Sequence, residues 1–181
     1  MTCIVGLVDK GTVYIGGDSA GVSEYNLTVR ADRKVFKNKD FIFGFTSSFR
    51  MGQLLRHSFV PPLHDKEVDT EKYMCTTFID AVRQCLKEGG FAKNEMETES
   101  GGQFLVGYQG RLFVIDSDYQ VGESANNFNS IGCGQSVALG VMYATACSSA
   151  NERVTLALKA AEQFSVGVRG PFFVERLEAI K

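Results

Sequence analysis

The residue with the clearest chemical potential is Thr2, which directly follows Met1. If Met1 is removed, Thr2 carries a hydroxyl and a free α-amine on one residue. A hydroxyl is a poor nucleophile until a nearby base takes its proton, and a terminal amine can be that base. Asp18, in the run Gly-Gly-Asp-Ser-Ala, and Lys34, in the run Asp-Arg-Lys-Val, could support this chemistry.

Three segments carry a resemblance to a known family. They are the opening Thr-Cys-Ile-Val-Gly-Leu-Val from Thr2, the Gly-Gly-Asp run at Asp18 and the Lys-Val pair at Lys34. Their mutual spacing resembles that of proteasome β-type subunits, in particular HslV-type peptidases of the N-terminal nucleophile (Ntn) hydrolase superfamily. The resemblance covers nearly the whole chain and implies a threonine-type peptidase. In that arrangement Lys34 helps the Thr2 alkoxide form, and Asp18 holds Lys34 in place.

Each of these three residues also has a purely structural interpretation. Thr2 could simply be the first residue of a strand. Asp18 could belong to a strand-ending turn, since Gly-Gly-Asp-Ser is a plausible turn sequence. Lys34 could lie on the surface among neighbouring basic residues. The joint spacing of the three residues favours the catalytic interpretation.

Two positions of the predicted site depart from the family pattern. The resemblance predicts that the backbone N–H of Ser47 stabilises the oxyanion, at a position where the family has glycine, so this loop must reach its geometry without glycine's freedom. It also predicts that Cys133 supports the Thr2 amine, where the family has serine. A thiol is a weaker hydrogen-bonding group than a hydroxyl, and a buried structural cysteine is the alternative.

Two more sets of residues are candidates for binding. Phe45 and Phe49 flank the predicted oxyanion loop and could line a pocket for apolar substrate side chains, although both could instead be core residues. No cofactor is expected for the chemistry. The resemblance implies that backbone carbonyls at Glu162, Ser165 and Val168 could hold a structural monovalent or divalent cation.

Other potential nucleophiles fit less well. Cys3 would be the second residue after processing, without a free amine, and in a strand its side chain points away from that of Thr2. His57 and His64 are the two histidines, and neither has an evident orienting partner. We therefore interpret both histidines as structural or solvent-facing.

Composition excludes several other classes of protein. The chain has 181 residues and a formal charge of −2, which suits one domain over residues 1–181 and argues against a nucleic-acid surface. No apolar run approaches the length of a membrane span, and no secretory leader precedes Thr2, so we expect a cytoplasmic protein. The five cysteines do not form a disulfide or zinc pattern, and we expect most of them in the core.

The predicted elements are strands, two helices, strands, two helices and a final strand. The helices are expected at residues 49–59, 70–88, 135–147 and 151–164, the last strand at 172–177, and a mobile connection at 91–101. Periodicity alone supports a mixed α+β domain. The family resemblance implies that this domain is a four-layer αββα sandwich.

The resemblance also implies a context for the activity. It predicts polypeptide substrates, a homo-oligomer of stacked rings that encloses the sites, and an ATPase unfoldase as a possible partner. Two alternatives stay open, namely an Ntn amidohydrolase that cleaves a small amide and a catalytically inactive scaffold subunit that forms rings.

Overall fold

The computed structural model of the chain describes residues 1–95 and 98–179. In chain order its strands are β1 (Cys3–Asp9), β2 (Thr12–Gly17), β3 (Ala20–Ser23), β4 (Asn26–Val29), β5 (Val35–Asn38), β6 (Phe41–Phe45), β7 (Lys93–Glu95), β8 (Thr98–Ser100), β9 (Phe104–Tyr108), β10 (Arg111–Ile115), β11 (Val121–Glu123), β12 (Phe128–Gly132) and β13 (Phe173–Glu178). Its helices are α1 (Phe49–His57), α2 (Thr70–Tyr73), α3 (Ile79–Glu88), α4 (Gln135–Ala144) and α5 (Ala150–Phe164), and a π-helical segment, Met74–Phe78, joins α2 to α3.

Most of the described strands lie in two antiparallel sheets. The first sheet has the strand order β12-β1-β2-β13, and the second has the order β11-β10-β9-β6-β5. The pairs β3–β4 and β7–β8 form separate two-stranded ribbons. The turn between β1 and β2 uses positive φ at Lys10 (48°) and Gly11 (79°), as two-residue hairpin turns require.

Three clusters of buried side chains hold the layers together. Ile4, Ile15 and Ile42 belong to a cluster between the two sheets. A second cluster joins the first sheet to α4 and α5, and a third, rich in phenylalanine, joins the second sheet to α1 and α3. The order of layers is therefore helix, sheet, sheet, helix, and the predicted four-layer αββα sandwich is confirmed.

Strand β1 explains why the sequence has an unbroken apolar run near its start. Ile4 faces the second sheet, whereas Cys3, Val5 and Leu7 face the helices on the other side. All four side chains are at most 2% exposed. Because both faces of the strand are covered, apolar residues replace the alternation of a half-exposed strand.

The predicted helices are present, with boundaries that differ by at most three residues, and the helix predicted at 70–88 consists of α2, the π-helical segment and α3. The last strand lies at Phe173–Glu178, one residue later than predicted. No helix among residues 1–95 and 98–179 is long and apolar enough to cross a membrane.

The connection after α3 contains strands that were not predicted, and the prediction that most cysteines lie in the core was wrong. The segment 91–101, predicted as a mobile connection, contains the paired strands β7 and β8, while its residues 96 and 97 lie outside the described residues. Most cysteines are not in the core, since only Cys3 is buried and Cys85 is half-buried. The remaining cysteines are exposed, at positions Cys75, Cys133 and Cys147.

Candidate active site

Three strand ends bring the predicted site residues together. Thr2 directly precedes β1, Asp18 directly follows β2, and Lys34 directly precedes β5 of the other sheet. The start of β1 adjoins the end of β2 because the two strands are antiparallel, and the Asp18 N–H donates to the Cys3 carbonyl. Residues that lie 16 or 32 positions apart in sequence therefore share one end of the sandwich.

Lys34 connects the other two residues by hydrogen bonds. Its Nζ donates to Thr2 Oγ1 at 2.9 Å and to Asp18 Oδ1 at 2.8 Å. Thr2 is 4% exposed, and the side chains of Lys34 and Asp18 are 1% and 0% exposed. The ammonium group is thus held against the threonine hydroxyl in a site that excludes most water.

Asp18 is fixed by the backbone around it. Its Oδ1 accepts the N–H of Cys3 at 3.0 Å, and its Oδ2 accepts the N–H of Ala20 at 2.9 Å and of Arg169 at 3.3 Å. These bonds, together with the Lys34 ammonium, compensate for the burial of a charged carboxylate. The carboxylate therefore has a fixed orientation towards Lys34.

Burial changes the proton affinity of the lysine. Loss of hydration lowers the pKa of Lys34 below its ordinary value, and the nearby Asp18 carboxylate opposes this shift. A buried ammonium with a lowered pKa next to a hydroxyl can stabilise the negative charge that forms on the oxygen when its proton leaves.

Cys133 lies against the backbone nitrogen of Thr2. The Thr2 N–H donates to Cys133 Sγ at 3.3 Å, and the thiol is 3.4 Å from the Thr2 carbonyl oxygen. Gly132 makes this approach possible because its φ is 94° and a Cβ there would lie 2.3 Å from the Thr2 oxygen. Cys133 is exposed, so the alternative of a buried structural cysteine was wrong.

The backbone at Ser47 has the conformation that glycine favours. Its φ is 66°, and Ser48 N–H donates to the Thr46 carbonyl at 2.8 Å, which closes a three-residue turn centred on Ser47. Among residues 1–95 and 98–179, no acceptor binds the Ser47 N–H. Ser47 lines the same cleft as Thr2.

The cleft beside Thr2 has a volume of about 60 Å³. Its lining includes both phenylalanines of the predicted substrate pocket, which meet edge to face with ring centroids 5.7 Å apart. Phe45 is also 4% exposed and belongs to the phenylalanine-rich core cluster, whereas Phe49 is half-buried and has the Arg30 guanidinium 3.7 Å from its ring centroid. Both residues are thus at the boundary between cleft and core.

The segment predicted to hold a cation follows α5. The Glu162 carboxylate accepts the N–H of Gly170 at 2.9 Å, and the Ser165 carbonyl accepts the N–H of Val168 at 3.1 Å. Oxygen donors suit hard cations. Of the predicted backbone ligands, the Ser165 carbonyl already accepts the N–H of Val168, while the Glu162 oxygen bound here belongs to the side chain. The cation stays a prediction.

The other candidate nucleophiles have structural environments. Burial raises the pKa of Cys3 to about 12, which keeps its thiol protonated and unreactive. His64 has its Nδ1 3.0 Å from the Tyr108 hydroxyl and its Nε2 2.8 Å from the Val68 carbonyl, and it stacks on Tyr73. His57 is exposed at the end of α1.

Sequence reasoning missed the contacts that reach the site from distant segments. Arg169 and Gln103 act through backbone atoms, which leave no signature in the sequence. The Ser19 hydroxyl donates to the Pro171 carbonyl at 2.6 Å and is 1% exposed. The Gly-Gly-Asp-Ser run contains this serine, so its position next to Asp18 was the one available signal.

Comparisons with known proteins agree with this arrangement at the level of fold. No protein-family model matches the sequence, and no curated protein sequence matches it significantly. Solved structures do match. BPH from Thiobacillus denitrificans, in a complex with epoxomicin, is 19% identical with a TM-score of 0.82, and the alignment covers 99% of this chain and 100% of that one.

Two further structures match over most of their length. Eukaryotic HslV from Trypanosoma brucei is 18% identical with a TM-score of 0.69, covering 97% of this chain and 99% of that one. Anbu (ancestral beta-subunit) from Yersinia bercovieri is 13% identical with a TM-score of 0.67, covering 97% of this chain and 81% of that one. The chain therefore has the proteasome-type fold of the Ntn hydrolases, as the resemblance in its sequence predicts.

Proposed function

We propose that this protein is a threonine-type peptidase whose nucleophile is the hydroxyl of Thr2. The observation that carries the proposal is the position of Lys34 Nζ, 2.9 Å from Thr2 Oγ1 and 2.8 Å from Asp18. A buried ammonium is costly unless it is paired, and here the pairing directs it at a hydroxyl. The proteasome-type fold supports the proposal because it is the fold that the sequence resemblance implies for such a peptidase.

The chemistry would proceed in two stages. The free α-amine of Thr2 takes the hydroxyl proton while Oγ1 attacks the carbonyl carbon of the scissile peptide bond. The tetrahedral oxyanion receives a hydrogen bond from the Ser47 N–H. The amine then gives the proton to the leaving nitrogen, which leaves an ester on Thr2, and water attacks this ester to release the second product.

This mechanism requires that Met1 be removed. With Met1 attached, the Thr2 nitrogen belongs to a peptide bond and has no basic lone pair. The Thr2 hydroxyl donates to the Met1 carbonyl, so the residue that must leave lies directly against the nucleophile. Once the amine is free, Cys133 Sγ is placed to hold it, because it already lies 3.3 Å from the same nitrogen.

The biological context belongs to the proposal as well. The resemblance implies polypeptide substrates, stacked homo-oligomeric rings, a cytoplasmic location and an ATPase unfoldase as a possible partner. A structural cation near Glu162, Ser165 and Val168 belongs to the same set of expectations. Phe45 and Phe49 would bind an apolar side chain of the substrate next to Thr2.

A second candidate is an Ntn amidohydrolase that cleaves a small amide. The observation in its favour is the size of the cleft, about 60 Å³, which suits a small substituent. A third candidate is an inactive scaffold subunit, in which Met1 would be retained and the Thr2 amine would never form.

A substrate screen and an intact-mass measurement separate the three candidates. Protein purified from cells would be incubated with unfolded polypeptides, short fluorogenic peptides and small amides, with Thr2→Ala as the matched control. The proposal expects loss of Met1 and cleavage of peptides that Thr2→Ala abolishes. Cleavage of small amides alone supports the amidohydrolase, and retained Met1 without any hydrolysis supports the scaffold.

A further inference from the structure

Ser47 occupies a backbone conformation that its side chain disfavours. Left-handed φ values are accessible to glycine at little cost, but a Cβ makes them unfavourable. Ser47 has φ 66° and is the central residue of a turn closed by the Ser48 N–H. Turns of this size with positive φ are rare and strained, so another interaction must hold Ser47 in place.

The backbone of Gln103 supplies that interaction through two hydrogen bonds. Its N–H donates to Ser47 Oγ at 3.1 Å, and its carbonyl accepts the N–H of Thr46 at 3.1 Å. Gln103 directly precedes β9, the strand next to β6 in the second sheet. The loop that carries the Ser47 N–H is thus bound at two adjacent residues to the start of an interior strand of the sheet.

The position of Gln103 is itself fixed from two directions. A Cβ on Gly102 would lie 3.0 Å from Ser47 Cβ and 2.6 Å from Met51 Sδ, so the close approach of this segment requires glycine. The Gln103 side-chain amide donates to Asp116 Oδ1 at 2.6 Å, directly after β10. The two bonds to the loop therefore have a well-anchored partner.

We propose that the Ser47 hydroxyl is a positioning group that replaces the missing glycine. By binding the Gln103 N–H, it holds Ser47 at positive φ and keeps the Ser47 N–H free to bind an oxyanion in the cleft beside Thr2. This inference rests on the proposed function for its catalytic consequence. Its structural part, that one side-chain bond holds the turn, stands independently of any activity.

Substitutions of Ser47 separate the hydroxyl from the backbone strain. Ser47→Ala loses the bond to Gln103 and keeps the strain, whereas Ser47→Gly loses the bond and the strain together. We expect Ser47→Ala to lower kcat about tenfold with little change in KM, since misplacing an oxyanion donor mainly affects the transition state. Ser47→Gly should keep an activity between those of Ser47→Ala and the unsubstituted protein.

Hydrogen exchange gives a readout that does not depend on hydrolysis. The Ser48 amide, which closes the turn, should exchange faster in Ser47→Ala than in Ser47→Gly or in the unsubstituted protein. Ser149→Ala removes the N-terminal cap of α5, and Ser149 does not line the cleft, so this variant is the matched control for a general loss of stability. It should leave the Ser48 amide and the kcat unchanged.

A second variant disturbs the same contact from the other side. Gly102→Ala keeps the Ser47 hydroxyl but pushes Gln103 away from it, and it should also speed exchange at Ser48. If Ser47→Ala matches the unsubstituted protein in both exchange and kcat, the positioning role is refuted while the peptidase proposal stands. If the unsubstituted protein hydrolyses nothing, the proposed function fails, and the exchange data alone decide the structural part.

Discussion

Asp18 and Lys34 form an ion pair in which Oδ1 and Nζ are 2.8 Å apart and neither side chain is more than 1% exposed. Such a pair is costly to assemble in the interior and strongly destabilising to break. Stability alone could be served by apolar residues of similar volume. The pair instead directs one ammonium group at the Thr2 hydroxyl, which is why we propose a catalytic role for it.

Removing the charge of Asp18 tests this pair. Asp18→Asn should lower the free energy of unfolding by about 3 to 5 kcal/mol, because it leaves the Lys34 ammonium buried without a counter-charge. Asp32→Asn is the matched control, since Asp32 pairs with Arg30 at 2.7 Å on the surface with side chains 43% and 37% exposed. The control should cost no more than about 1 kcal/mol in a urea titration. If the two substitutions lower the free energy of unfolding equally, burial of the Asp18–Lys34 pair does not account for the cost.

Cys133 offers a direct test of how the Thr2 amine is oriented. Cys133→Ala removes the partner of the Thr2 nitrogen and should lower kcat/KM about fivefold, the equivalent of a net hydrogen bond of about 1 kcal/mol. Cys133→Ser provides a stronger hydrogen-bonding group and should keep or raise the activity. Cys147→Ala, another exposed cysteine, is the control. An alanine variant as active as the unsubstituted protein would remove Cys133 from the mechanism.

Phe45 should limit the size of the substrate side chain that enters the cleft. Phe45→Val enlarges a cleft of about 60 Å³, so kcat/KM should shift towards peptides with larger apolar side chains at the cleaved position. Large-to-small core substitutions also cost about 2 to 5 kcal/mol, so Phe59→Val serves as the control from the same cluster. An unchanged preference in Phe45→Val would restrict Phe45 to a role in the core.

Stability at alkaline pH should report the burial of Cys3. Its pKa is raised from 9.0 to about 12, so between these pH values the unfolded chain has lost the thiol proton while the native chain retains it. The contribution of the Cys3 thiol to the free energy of unfolding is therefore complete below pH 9. It falls as the pH rises, by about 2 kcal/mol at pH 10.5. Urea titrations of Cys3→Ala should show a smaller decline over this range. If the free energy of unfolding declines equally with pH in the two proteins, the raised pKa of Cys3 is contradicted.

The sequence allowed the site to be predicted because its residues lie at the ends of recognisable strands. Thr2 and Asp18 adjoin two apolar runs joined by a tight turn, and antiparallel pairing brings those ends together. Lys34 also adjoins an apolar segment. Only the family spacing indicated that this segment would begin at the same end of the sandwich as Thr2 and Asp18. Periodicity predicted a mixed α+β domain, whereas the four-layer sandwich was predicted only from the family resemblance.

The rest of the arrangement depends on contacts that have no local signal. The ribbon of β3 and β4 is not evident because β4 is exposed throughout, so its sequence lacks the pattern of a strand with one buried face. The positive φ of Ser47 is not evident because the bond that holds it comes from the backbone of Gln103. Cys133 directly follows β12, and its exposure has no local signal in the sequence.

The measurement that tests the central claim most directly is the identity and reactivity of the first residue of the mature protein. Protein purified from cells would be treated with epoxomicin and analysed by intact-mass and peptide mass spectrometry. Our account predicts a chain that begins at Thr2 and carries the inhibitor on that residue, with no adduct in Thr2→Ala. A mature chain that retains Met1, or hydrolysis that persists in Thr2→Ala, would contradict it.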